Sequence, residues 1–126
     1  MGNLRFAVGS GRLAAEVSVE DSGDGLVVTV FGGERPHVGT VVLAQPRPSR
    51  SRPGERSATS SCLSLLGHQD EALARPVAEA LARALGVPVV VVAGVHLEGI
   101  QPEEIAAAMV LGPRIAEEVL RRRVSD

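Results

Sequence analysis

Lysine, tryptophan and tyrosine are absent from this chain, and Phe6 and Phe31 are its only aromatic rings besides imidazole. Proteins that hold single-stranded nucleic acid stack bases on exposed rings, so that class is disfavoured. All 13 basic residues are Arg, and 15 acidic residues outnumber them to give a net charge of -2. No general electrostatic attraction to nucleic acid or to anionic lipid follows from that balance. The lone Cys62 excludes an internal disulfide and any all-cysteine metal site within one chain; inside a strand it reads as a small buried thiol. The longest apolar stretch, Val87 to Val95, is interrupted by Pro88 and Gly94. It falls well short of the roughly 20 residues needed to cross a bilayer. Met1 to Ser10 has no charged start followed by an apolar run, so no secretory signal is expected and the expected compartment is the cytoplasm.

What remains is a chain of 126 residues, 44% hydrophobic, whose core must be built from Ala, Val and Leu. One domain over 1–126 is expected, large enough to be stable without disulfides. Leu13, Ala15, Val17 and Val19 alternate with Ala14, Glu16, Ser18 and Glu20, the pattern of a strand with one wet face. Asp21-Ser22-Gly23-Asp24-Gly25 turns the chain into a second strand, Leu26 to Phe31, and Val38 to Ala44 supplies a third. Pro, Arg and Ser dominate 45–57, which reads as a mobile loop. Strand character returns over Ala58 to Leu66, and a short extra strand is expected near Leu4 to Val8.

Asp70 suits a helix N-cap, and Leu73, Val77, Leu81 and Leu85 form one apolar face as far as Gly86. Pro76 should bend the first turns or mark a later start. Pro88 to Ala93 is a continuous apolar run suited to a central strand covered on both faces. Pro102, with Glu103 and Glu104, opens a second helix, for which a kink or break is expected at Gly112-Pro113. The fold class is therefore α+β, a mainly antiparallel sheet with two helices and one βαβ unit whose strands, Ala58 to Leu66 and Pro88 to Ala93, run parallel.

Each of the three histidines sits beside Gly or Pro in a connection: Pro36-His37-Val38-Gly39, Gly67-His68-Gln69 and Gly94-Val95-His96. Antiparallel pairing of the third and fourth strands brings His37 and His68 to one sheet edge, and the parallel Pro88 to Ala93 strand delivers His96 to the same edge. Both helices begin there. Three imidazoles near two positive helix ends could transfer protons, contact an anion or hold a metal, so His37, His68 and His96 are the metal candidates. Gly32-Gly33 suits either a close phosphate approach or an ordinary hairpin connection, and Thr59, Ser60 and Ser61 either bind polar ligand atoms or face water. Ser61, His68 and Asp70 could be read as a nucleophile system, but no Gly-x-Ser-x-Gly elbow accompanies them.

Gly32-Gly33, Arg35-Pro36-His37-Val38-Gly39, Ser57-Ala58-Thr59-Ser60-Ser61, Leu65-Leu66-Gly67-His68 and Val89 to His96 together resemble the LpdD-like family. The likeness spans about Gly11 to Val119. It implies a fold similar to proteasome assembly chaperones, a homodimer, and a non-catalytic chaperone that carries reduced prenylated FMN to a UbiD-like decarboxylase. It further implies Gly32, Gly33, Arg35, His37, Thr59, Ser60, Ser61, His68 and His96 as cofactor-binding candidates. Leu97-Glu98-Gly99-Ile100 departs from the more Asp- and Asn-like stretch associated with the family, which leaves a ligand role for Glu98 unsupported. With no Trp or Tyr to stack on a flavin, Arg35 or an arginine of the 45–57 segment is the expected cover for the ring or partner for the phosphate. Two rival readings stand beside this one: a small metal-dependent hydrolase-like enzyme using the three histidines with a divalent metal, and an assembly chaperone whose role is purely structural.

Overall fold

The computed structural model describes residues 3–65 and 70–125. Its strands are β1 (Leu4–Val8), β2 (Ala15–Asp21), β3 (Leu26–Gly33), β4 (Arg35–Pro48), β5 (Arg56–Ser64) and β6 (Val89–His96); its helices are α1 (Glu71–Leu85) and α2 (Pro102–Ser125). A single 3-10 turn, Gly11–Leu13, joins β1 to β2. The strands form one sheet in the order β1-β2-β3-β6-β4-β5, antiparallel throughout except for the β3–β6 pair.

The β2–β3 hairpin closes at Asp21↔Leu26, as its turn residues predict. β5 and β6 point the same way, but they are not neighbours: β4 lies between them, and the direct parallel partner of β6 is β3. The Gly32-Gly33 segment is therefore not a hairpin connection. Glu34 alone carries the chain over the end of β6, donating its N–H to the His96 carbonyl at 2.8 Å. Gly33 has φ +72°, and a Cβ there would lie 2.4 Å from His96 O, so glycine is required by backbone proximity.

The loop expected over 45–57 is also narrower. Pairing of β4 with β5 continues to Pro48↔Arg56, leaving 49–55 as the connection. Pro46 and Pro48 are tolerated because β6 pairs with β4 only as far as Ala44↔Val89, so beyond that point one side of β4 needs no ladder donor.

Both helices pack on the same face of the sheet. Ala74, Val77, Ala78, Leu81 and Ala82 bury the helical stripe of α1, with small Ala residues at its centre and the expected Leu73 and Leu85 only partly buried at its ends. Helix α2 is seated by Leu111, Ile115, Ala116 and Val119. It runs through Gly112-Pro113 as one helix, so of the kink or break expected there the break does not occur. Helix contact holds it there: a Cβ on Gly112 would stand 3.1 Å from Leu73 O and 3.7 Å from Pro76 Cβ. Pro76 likewise lies inside α1 without ending it. Each fully buried Leu81 or Ile115 contributes about 1.5–3 kcal/mol by leaving water.

Strand β6 is central, but only one of its faces is covered by helices. Val89, Val91 and Ala93 are fully buried under them, whereas Val90 and Val92 are half-buried on the opposite face beside Leu43 and Val27. That second face also carries Leu63, 78% exposed.

Candidate functional site

The site lies where the C-terminal end of β6, the first residues of β4 and the start of α1 meet. In β4 the register against β6 jumps between Pro36↔Val95 and Thr40↔Ala93, so three residues, His37-Val38-Gly39, stand opposite Gly94 alone. Such a bulge re-aims side chains. It is accommodated because Gly94 lacks a side chain: a Cβ there would fall 1.5 Å from His37 O.

The bulge turns His37 toward His96, and the two rings meet edge to face with centroids 5.7 Å apart. His37 Nδ1 lies 3.0 Å from Arg35 O; a carbonyl only accepts, so Nδ1 carries the proton and Nε2 faces Asp70 Oδ2 at 3.7 Å. Asp70 is buried and receives the Val95 N–H on Oδ1 at 3.0 Å. Gly39 makes room for that carboxylate, since a Cβ there would lie 2.1 Å from Oδ2. His96 Nε2 donates to Glu98 Oε1 at 2.8 Å. That hydrogen bond, reinforced by the charges of His96 and then Arg35, holds the exposed Glu98 carboxyl below its usual range against a smaller opposing effect of desolvation. The His96 imidazole, backed by Glu98, and the Asp70 carboxylate are the polar groups this arrangement presents to a ligand.

Behind this group opens a cavity of about 440 Å³, within the usual size of a small-molecule site. Asp70, Val95 and His96 lie at one part of its lining, and Leu73, Ile105 and Met109 at another. Arg12 clasps its rim: Nη2 donates to Glu98 O at 2.6 Å and Nε pairs with Glu104 at 2.9 Å. The N-terminus of α2 already has a carboxylate of its own, because Glu104 Oε1 accepts the Gln101 N–H at 2.9 Å. An anion expected at that helix end would meet Glu104 first.

Of the residues singled out from the sequence, His37 and His96 come together, while His68 lies outside the described residues. Arg35 is exposed and pairs in register with His96. Gly32 and Gly33 flank the same end of the sheet, where the Cβ space of Gly32 is filled by Ala14 O at 2.3 Å. Among the described residues, His96 is the one cofactor-binding candidate that lines the cavity; Gly32, Gly33, Arg35, His37, Thr59, Ser60 and Ser61 do not. Thr59 accepts from Arg47 Nε at 2.7 Å; Ser60 donates to Glu79 and accepts from Arg75 at 2.6 Å, tying edge strand β5 to α1; Ser61 sits opposite Leu43 in the ladder. Among the described residues no group of three His, Cys, Asp or Glu is placed to hold a metal ion. Arg12 and the α2 wall carry no signal in the sequence, and Asp70 enters there only as a helix cap or as the acid of a Ser61-His68-Asp70 system, of which Ser61 does not line the cavity and His68 lies outside the described residues. Asp70 was read as a helix cap, yet its side chain makes no cap bond and is used across the fold instead.

Comparison with known proteins bears on the fold and the family. One chain of a chaperone complex for yeast 20S proteasome assembly is similar in structure, with a TM-score of 0.57 at 15% identity over 99% of this chain and 98% of that one. At that identity the likeness is one of fold. No curated protein matches the sequence. The family model described as the prenylated flavin chaperone LpdD-like domain matches residues 9–123, and the chain belongs to that family.

Proposed function

We propose that this protein is a non-catalytic carrier that holds reduced prenylated FMN as cargo and delivers it to a UbiD-like apo-decarboxylase. The observation that carries the reading is the cavity of about 440 Å³, with Asp70 and His96 at one part and an aliphatic wall at another, in a chain of this family. A flavin offers a matching pair of surfaces, a polar pyrimidine edge and an apolar ring system. His96 and Asp70, which line the cavity, would orient the polar edge, and His37 would hold the His96 ring in place through its edge-to-face contact. In this reading the protein works in the cytoplasm.

The test is anaerobic titration of the purified protein with reduced and with oxidised prenylated FMN. We expect the reduced form to bind at least about tenfold more tightly, a difference of about 1.4 kcal/mol. Equal binding of the two forms, or none of either, would overturn the carrier reading.

The carrier acts as a homodimer, closed through the sheet face that lacks helices. Val27, Leu43 and Leu63 are 39%, 40% and 78% exposed on it, with Val90 and Val92 half-buried between them. A contiguous apolar face of this kind is uncommon on a protein that stays monomeric. Light scattering should give twice the 13.1 kDa chain mass, and Leu63→Asp should return the particle to a single chain. A wild-type monomer at micromolar concentration would reject the dimer.

A further inference from the structure

We propose that the first half of α2 is the specificity wall by which the site tells prenylated flavin from plain flavin, an inference that rests on the carrier reading above. An amphipathic helix normally turns its apolar stripe onto the protein body. Helix α2 does so only from Leu111 onward. Before that, Ile105, Ala108 and Met109 follow the spacing of one helical face and line the cavity, yet Ile105 is 47% and Met109 72% exposed. Ile100, 44% exposed, extends the same wall from the preceding connection. These side chains border a concavity that is open to solvent.

The backbone that carries the wall is held at both ends. Arg12 holds Glu104 at 2.9 Å, Glu104 receives the Gln101 N–H, and Gly112 seats the helix against α1. A pre-placed backbone avoids the ordering cost that a mobile one would incur on binding. Its position favours one occupant. The cavity is continuous with His96 and Asp70, so a ligand oriented there by its polar edge brings its hydrocarbon part to Ile105 and Met109. Plain FMN brings only its dimethylbenzene ring to this wall, whereas the isoprenoid-derived ring of prenylated FMN adds apolar surface that Ile105 and Met109 can cover.

The experiment compares affinities for reduced prenylated FMN and reduced FMN, measured anaerobically by equilibrium dialysis, in the wild type, Met109→Gln and Ile105→Thr. Both positions are substantially exposed, so both variants should fold; circular dichroism and particle mass are recorded alongside. The wild type should prefer the prenylated form by at least about tenfold, the scale of a few extra carbons in an apolar pocket. Each variant should lower that ratio about threefold to tenfold, by weakening the prenylated form alone. A ratio unchanged from wild type in both variants would overturn the wall. If the ratio stays but the particle mass falls, the face belongs to a protein contact and the proposal fails equally. Binding of neither flavin by the wild type would instead defeat the carrier reading on which the wall rests.

Discussion

Gly94→Ala should be among the most damaging single-methyl additions in this protein. The added carbon would sit 1.5 Å from the His37 carbonyl, a backbone atom that no rotamer change can withdraw. Either the bulge must lift off β6 or β6 must shift away from β4. Overpacking usually costs about 1–3 kcal/mol, and a clash between two backbones belongs at or above the top of that range. For a domain whose total stability is of the order of 5–15 kcal/mol, about 3 kcal/mol is a large share. It corresponds to a melting temperature lower by roughly 10–15 °C. Any folded fraction should also lose the His37–His96 contact and, with it, cargo binding. A melting temperature within about 2 °C of wild type would mean that the bulge relocates at little cost, and the account of Gly94 would be wrong.

Asp70→Ala should produce the second large effect, divided between folding and the site. Removing the carboxylate leaves the Val95 N–H without its acceptor, at a cost of about 1–3 kcal/mol, and removes the negative charge that faces His37 Nε2. Urea unfolding should show an earlier midpoint with an unchanged slope, and cargo affinity should fall at least tenfold, by about 1.4 kcal/mol. Asp70→Asn separates the two roles. Its amide oxygen can still accept from Val95, so most of the stability should return, whereas the charge facing His37 does not and binding should remain weak. Wild-type affinity in Asp70→Asn would show that the charge is irrelevant and that Asp70 serves the scaffold alone.

Much of the architecture was legible because local chemistry and tertiary packing agree. Alternation marks β2, the turn residues mark its hairpin with the apolar run of β3, Gly86 marks the end of α1, and Pro102 marks the start of α2. Strand directions place His37 and His96 at one end of the sheet, but their ring contact needs the bulge at 37–39 and the pairing of β4 with β6, which the sequence does not show. What was misread depended on neighbours distant in sequence. Val90 and Val92 look like the core of a strand covered on both faces, but composition does not say whether a helix or another molecule covers the second face. Gly32 and Gly33 resemble a hairpin turn because only the insertion of β6 shows why they must lack side chains. Asp70 stands at a helix start, where a cap is the local solution; its acceptor role toward Val95 appears only once the β6 end lies beneath it. Arg12 and the wall of α2 carry no local signal, because an arginine in a turn and an aliphatic stripe on a helix are ordinary in isolation.

The position of β6 has a consequence for how the polypeptide reaches its native state. Its two ladder partners, β3 and β4, are joined by Glu34 alone, yet β6 must slot between them after more than fifty further residues have been made. Until it arrives, both inner edges stay open and no cavity floor exists. Closing such distant pairings is slow, which makes insertion of this strand the expected rate-limiting event. Truncation before Val89 should therefore leave two aggregation-prone half-sheets, and carrier competence should emerge in one late cooperative step.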